Sequence, residues 1–349
     1  MTECILHIGV EKTGSTSIQS ALSKNRQKLL SHGVLYPRTL GEKSHIKAYA
    51  LASESGMDEV KSQSGFDSLA SIESARLRLL EQLADEISSN DPKIVCISNE
   101  HCSSRLLLRS EIRRLATLVQ SFCDNIKVVI YLRRQGDALR SAYSTYVKTG
   151  GTAPFALPGP EAIEQRYDYE AIIARWAEVF GEGAMDVRLF DRDTLKDGDV
   201  VADFVASLGI EPLEFILDKE MNKSLGGVGL EFLRAFNSHV SCTTDNALNP
   251  LRGNIQELVE QFTSGAPYAG DVAIMNTFDD VMRESNARVI SRYFPNRGKP
   301  LFPPHARQGV ADAATSLDSV MSLMAQIWEA KQQQVLQLRS RVAKLTGRN

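Results

Sequence analysis

Leu6-His7-Ile8-Gly9-Val10-Glu11-Lys12-Thr13-Gly14-Ser15-Thr16-Ser17-Ile18-Gln19 is the stretch from which the rest of the chain is read. Cys4 to Ile8 is an apolar run of strand length. A short turn bounded by Gly9 and Gly14 follows, and a helix begins near Gly14 that carries Ile18, Ala21 and Leu22 on one face. A strand that feeds a glycine-pinched loop and then a helix N-terminus makes an anion cradle, because unpaired backbone N–H groups and the positive end of the helix dipole converge there. Phosphate is the guest this geometry suits.

The lysine's position separates two kinds of phosphate loop. The ATP- or GTP-type loop runs G-x-x-x-x-G-K-[ST], with the lysine after the second glycine. Here Gly9 and Gly14 keep that spacing, but Ser15 fills the lysine slot and the lysine is Lys12, inside the loop. The pattern G-x-x-K-[ST]-G-[ST]-[ST] resembles the 5′-phosphosulfate loop of sulfotransferases that use 3′-phosphoadenosine 5′-phosphosulfate (PAPS). The resemblance implies Lys12 near the oxygen bridging phosphate and sulfate, and Thr13, Gly14, Ser15, Thr16 and Ser17 around the 5′-phosphate.

Two further apolar runs, Lys93 to Ser98 and Lys127 to Leu132, have the continuous hydrophobicity of strands buried on both faces, and helical stretches alternate with them. A fourth strand is expected over Met185 to Phe190. This order predicts an α/β fold: an open, mostly parallel sheet flanked by helices, with ligands at the C-terminal strand ends. Lys12, Glu100 and Arg133 all fall at such ends. The segment after the third strand, Arg133-Arg134-Gln135-Gly136-Asp137 through Ser141, resembles the sulfotransferase 3′-phosphate motif, with Arg133, Asp137 and Ser141 in the arginine, Asp and Ser places. An arginine fork and a helix hydroxyl are apt donors to a phosphate. The block from Arg188 to Gly209 resembles the family's next segment but departs from it at Phe190 and Asp191, and reads as structural. Asn296-Arg297-Gly298-Lys299 resembles the late basic-glycine segment that closes over the nucleotide, with Arg297 and Lys299 as its charges.

Transfer of a sulfuryl group to a hydroxyl needs a base. Glu100, just past a strand end, is favoured, since several carbohydrate sulfotransferases resemble this arrangement. Its rivals are His101, as the cytosolic members use a histidine, and His45, in a serine-, glycine- and charge-rich stretch over 38–67 that reads as an active-site loop or lid. Arg105, Arg109 and Arg113 lie at four-residue spacing on a helix expected from Leu107 to Phe122, as a solvated face or a greeting for an acidic acceptor.

A formal charge of −3 argues against a general nucleic-acid binder. Five cysteines, Cys4, Cys96, Cys102, Cys123 and Cys242, show no C-x-x-C spacing and suggest neither a disulfide framework nor a zinc site. No acidic metal-binding cluster is visible, so no metal is expected. With no apolar run of signal or span length before the first strand, the chain reads as cytoplasmic. Asn222-Lys223-Ser224 matches a glycosylation acceptor and reads as a loop; Gly226-Gly227-Val228-Gly229 is a dinucleotide fingerprint lacking its third glycine.

Helices continue to about residue 292, giving a sulfotransferase domain over 1–304 and a helical extension over 305–349. In the extension Met321, Met324, Trp328, Val335, Leu338, Val342 and Leu345 repeat at 3-4 spacing with Lys331 in the one polar slot, which suits docking on the domain or a homodimer. The expected activity is transfer of the sulfuryl group from PAPS to a carbohydrate, lipid or small-molecule hydroxyl. The alternatives are an ATP-dependent small-molecule kinase and a nucleotide-binding interaction protein without turnover.

Overall fold

The computed structural model describes residues 2–211, 215, 225–244, 247–263, 268–302 and 317–346. In chain order the elements are β1 (Glu3–His7), α1 (Ser15–Lys24), α2 (Arg26–Ser31), β2 (Val34–Leu35), α3 (Ile46–Ala52), α4 (Glu59–Gln63), α5 (Leu69–Asn90), β3 (Ile94–Ser98), α6 (His101–Arg105), α7 (Arg109–Gln120) and β4 (Asn125–Leu132). Then come α8 (Gln135–Lys148), α9 (Pro160–Arg166), α10 (Tyr169–Phe180), β5 (Met185–Leu189), α11 (Val200–Ser207), α12 (Gly227–His239), β6 (Thr243–Thr244), β7 (Ala247–Leu248), α13 (Ile255–Phe262), α14 (Val272–Val281), α15 (Arg283–Tyr293) and α16 (Leu317–Thr346).

These elements fall into two compact units. The first takes in Met1–Ala138, Pro158–Met221 and Phe278–Pro303; the second takes in Leu139–Leu157, Asn222–Thr277 and Pro304–Asn349. The helical extension expected from residue 305 thus shares its unit with two earlier segments.

The first unit is built on a five-stranded sheet of order β2-β3-β1-β4-β5, parallel throughout. It is the open parallel α/β sheet the sequence predicts. His7 pairs with Ser98 on one side and Val129 on the other, so β1 and β3 end level while β4 runs on to Leu132. β3 and the next strand, β4, lie on opposite sides of β1, and such a reversal of strand order opens a crevice at the C-terminal edge. Alternation of side chains splits the core in two. Leu6, Ile97, Val128 and Ile130 pack with α5, α7 and α10, while Ile5, Cys96, Val129 and Tyr131 pack with α1 and α11. Cover on both faces is why the strands read as unbroken apolar runs.

One helix, expected to run from Gly14 to about Gly33, is divided. It breaks at Asn25, whose side-chain amide donates to the Ala21 carbonyl, 2.7 Å, and so competes with the backbone for that acceptor. The helix expected over 107–122 is α7, and the buried Glu111 carboxylate sets its start by accepting from the amides of Leu107 (2.9 Å) and Leu108 (3.0 Å). The arginine row is therefore not one helix face. Arg105 closes α6 against Asp58 and Glu59, and Arg109 opens α7 bonded to Glu178.

In the second unit, α12, α13, α16 and the later part of α8 enclose Tyr143, Val147, Leu230, Leu233, Val259, Leu323 and Ile327. Gly229 is a packing glycine there: a Cβ would meet Thr263 Oγ1 at 2.4 Å, which accounts for part of the glycine cluster without a nucleotide. Asn222-Lys223-Ser224 lies outside the described residues. Among the described residues, no helix is long and apolar enough to cross a membrane.

Candidate functional site

The loop between β1 and α1 stands at the crevice beside β1. Gly14 caps α1 with φ 81°, a left-handed conformation natural to glycine, and a Cβ there would meet Val200 Cγ1 at 2.7 Å and Phe190 at 3.2 Å. Gly9 is equally constrained, since its Cβ would fall 2.8 Å from Ser15 Oγ and 3.3 Å from the Glu100 Cβ. Lys12 also has φ 71°, costly for a residue with a side chain. Two bonds hold the turn. Thr13 Oγ1 donates to the Val10 carbonyl, 2.6 Å, and Arg133 Nη1 donates to the Lys12 carbonyl, 2.8 Å.

Inside this turn, Ser15 is 4% exposed and its hydroxyl is buried without a hydrogen-bond partner. A buried orphan of this kind costs about 1–3 kcal/mol and marks a place made for a guest. Thr16 is exposed, Ser17 and Lys12 are half-buried, and the amides of Ser15 and Thr16 precede the first intrahelical bonds of α1, which run from Ser17 and Ile18 to the Gly14 carbonyl. The turn therefore offers hydroxyls, amides and an ammonium to one anion.

Arg133 stands one residue past β4. Besides gripping the loop it lies over the Phe190 ring, 5.4 Å from its centroid, and its own carbonyl accepts from Tyr169 Oη. Phe190, read from sequence as part of a structural block, thus touches both the loop and the arginine. The rest of that block is structural as expected: Arg188 bonds Asp186 (3.0 Å) and Asp203 (2.8 Å), and Leu195 is buried. Burial works against the Arg188 charge, but the carboxylates of Asp186 and Asp203 prevail and raise its pKa.

Glu100 follows β3 and opens α6. Its Oε2 accepts from Gln19 Nε2 at 2.6 Å; Gln19 also approaches Ser98 Oγ at 3.4 Å, and Ser98 Oγ meets His7 Nδ1 at 2.8 Å. His7 is fully buried and burial pushes its pKa down to about 3, so it remains neutral at neutral pH. Gln19 comes one turn after Ser15 on α1. The helix that presents the loop hydroxyls thus also holds the glutamate. Sequence reading missed Gln19; its only local signal is a polar residue beside Ile18 on a buried face.

His101 comes up beside Glu11 of the loop between β1 and α1. Its Nδ1 is 4.0 Å from Glu11 Oε1, beyond hydrogen-bond range, and Glu11 instead accepts from Ser104 Oγ at 2.9 Å.

His45 is corrected by the structure. It is fully buried, with Nε2 at 2.8 Å from the Pro37 carbonyl and Nδ1 accepting from the Ser98 amide at 3.0 Å, so both nitrogens are committed to backbone. Burial pushes its pKa down to about 3. The surrounding stretch is no lid: Ala48, Tyr49, Ala50, Leu51 and Ala52 belong to the first core.

Arg297, in the first unit, donates to the carbonyls of Pro300 and Leu301, each at 3.2 Å, and so braces its own turn. Ser141 lies on the portion of α8 that belongs to the second unit.

No family model matches the chain. Over 174 residues, 50% of this chain, it is 28% identical to an uncharacterized protein of Archaeoglobus fulgidus; the match spans 47% of that protein, about half its length. Among solved structures, the crystal structure of a sulfotransferase from Alicyclobacillus acidocaldarius aligns over 64% of this chain and 86% of its own, at 21% identity and a TM-score of 0.39. A TM-score of that size leaves the fold to the strand order described above.

Proposed function

We propose that the chain is a sulfotransferase that takes the sulfuryl group of PAPS to an acceptor hydroxyl on a carbohydrate, lipid or small molecule. The observation that carries this reading is the orphaned Ser15 hydroxyl inside a glycine-walled turn whose lysine precedes the second glycine. The residues present fit the donor. Thr13, Gly14, Ser15, Thr16 and Ser17 hold the 5′-phosphate, and Arg133 holds the 3′-phosphate. Arg297 joins them only by releasing the carbonyls of Pro300 and Leu301. PAPS, when bound, supplies an activated sulfuryl group whose S–O bond to the phosphate breaks as the acceptor oxygen bonds to sulfur.

The chain's own part is positioning, charge and a base. Lys12 offsets the negative charge that develops on the bridging oxygen as the phosphate leaves. Glu100 takes the proton of the acceptor hydroxyl, its carboxylate held by Gln19. The deep burial of His45, with both ring nitrogens on backbone groups, favours Glu100 over it. His101, with a carboxylate 4.0 Å away, is the other rival.

Calorimetric titration of 3′-phosphoadenosine 5′-phosphate, ADP and magnesium-ATP against the wild type and Arg133→Ala tests the donor site. Tight binding that needs the 3′-phosphate and Arg133 but no magnesium is expected. A preference for magnesium-ATP would replace this reading with a kinase.

A further inference from the structure

The heptad stripe of α16 is not what holds α16 to its own unit. The helix docks through Leu323 and Ile327, buried among Leu230, Leu233, Leu258 and Val259. The stripe runs alongside that contact and on past it, and is open: Trp328 is 67% exposed, Leu338 58% and Val342 57%. Of the 16 large apolar side chains exposed among the described residues, 8 lie on this one helix. An amphipathic helix that has satisfied one apolar side and keeps a second is built for a second partner.

We propose that this stripe pairs with the same stripe of a second copy of the chain, antiparallel, to form a two-stranded coiled coil. The spacing selects a helix as occupant. Alternating steps of three and four from Met321 to Leu345 keep a 3.5-residue period, which describes a narrow seam against another helix rather than the broad face a helix lays on a lipid surface. The stripe also matches itself in reverse. With the two-fold axis at residue 333, Met321 meets Leu345 of the second copy, Met324 meets Val342 and Trp328 meets Leu338, so six of the eight layers are apolar on both sides, and the two nearest the axis set Val335 against Lys331.

Charge selects the direction. Asp318 and Glu329 lie in the first half of the helix, whereas Arg339 and Arg341 lie in the second. A parallel pair would set four arginines side by side; the antiparallel pair lays each basic half along the acidic half of the other. Lys331, the polar slot, turns back to Asn254 Oδ1 of its own unit at 2.5 Å, so its ammonium stays out of the seam. Seven Met, Trp, Val and Leu side chains on each helix can supply an area on the order of the ~800 Å² per partner of a stable interface.

The test is the solution mass of the full chain by light scattering at micromolar concentration, together with Met324→Lys and Val342→Glu. Both positions are exposed, so the substitutions spare the core, which circular dichroism verifies. The wild type is expected at twice 38.5 kDa, each variant alone at 38.5 kDa, and an equimolar mixture of the two back at the dimer mass. Only the antiparallel seam places residue 324 of one copy against residue 342 of the other. A wild-type monomer overturns the proposal, and sedimentation of that monomer with phosphatidylserine vesicles would give the stripe to a lipid surface. Variants that remain dimers place the interface elsewhere, and a mixture that stays monomeric overturns the antiparallel seam.

Discussion

The loop from Gly9 to Ser17 and the stretch over 38–67 have similar compositions, rich in serine, glycine and charge, and the same reading expects both at the active edge. They end differently. In the loop, Ser15 keeps a buried hydroxyl without a partner and Lys12 sits at positive φ. Over 38–67, His45 has both ring nitrogens on backbone groups and α3 is core. Composition marks where polar atoms are many; their partners decide whether a segment waits for a ligand or closes the fold. The contrast gives opposite expectations for substitutions in the two regions.

The largest effect belongs to the edge. Glu100→Gln is expected to cut transfer by roughly 10²–10⁴, the worth of a general base, with affinity for 3′-phosphoadenosine 5′-phosphate unchanged. If single-turnover transfer survives in that variant and fails in His101→Ala, the base is His101. His45→Ala should do the reverse. It leaves the Pro37 carbonyl and the Ser98 amide without their partner, at about 2–4 kcal/mol of stability in urea unfolding, and spares nucleotide affinity per folded molecule. Intact stability with lost turnover would restore a lid.

Arg133→Ala is expected to weaken 3′-phosphoadenosine 5′-phosphate by about 1.5–3 kcal/mol, ten- to more than a hundredfold. Because Arg133 also holds the Lys12 carbonyl, the loss has two sources that adenosine 5′-phosphate separates. A loss confined to the nucleotide bearing the 3′-phosphate assigns Arg133 to that phosphate; an equal loss for both assigns it to the loop.

Acid should sharpen the contrast. His7 and His45 have pKa values pushed down to about 3 by burial, against about 6.5 for an unfolded histidine. Between those values the unfolded chain binds protons that the folded chain refuses, so stability is full above pH 6.5 and falls as pH drops through the window. At pH 5 the loss is about 2 kcal/mol for each histidine. His45→Gln should flatten the pH dependence of the melting temperature by one proton's worth, and an unchanged slope would mean that His45 can protonate in place.

The same distinction separates what was legible in sequence from what was not. The strands, the loop and Arg133 were legible because each is a local pattern: an apolar run, a glycine spacing, a cation just past a strand end. The break at Asn25 and the exact start of α7 were not, since the second depends on Glu111, which turns back onto amides that propensity alone would place inside a helix. Gln19 and Phe190 were missed because their partners, Glu100 and Arg133, are far away in sequence. His45 misled because a histidine among serines looks exposed until the strand beside it is known.

The smallest expected effect carries the most pointed test. Ser15→Ala removes a buried hydroxyl that has no partner, so nothing is lost from the free protein's bonding, and its stability should rise by about 1 kcal/mol. The same substitution should lower affinity for 3′-phosphoadenosine 5′-phosphate by about 1 kcal/mol, several-fold, since the hydroxyl finds its partner only in the complex. An ordinary core serine cannot give opposite signs in the two measurements: with a hidden partner, both stability and affinity would fall or affinity would stay constant. A more stable variant that binds nucleotide as tightly as wild type would show that the orphan is a packing defect, and the contrast between the two serine-rich segments would lose its basis.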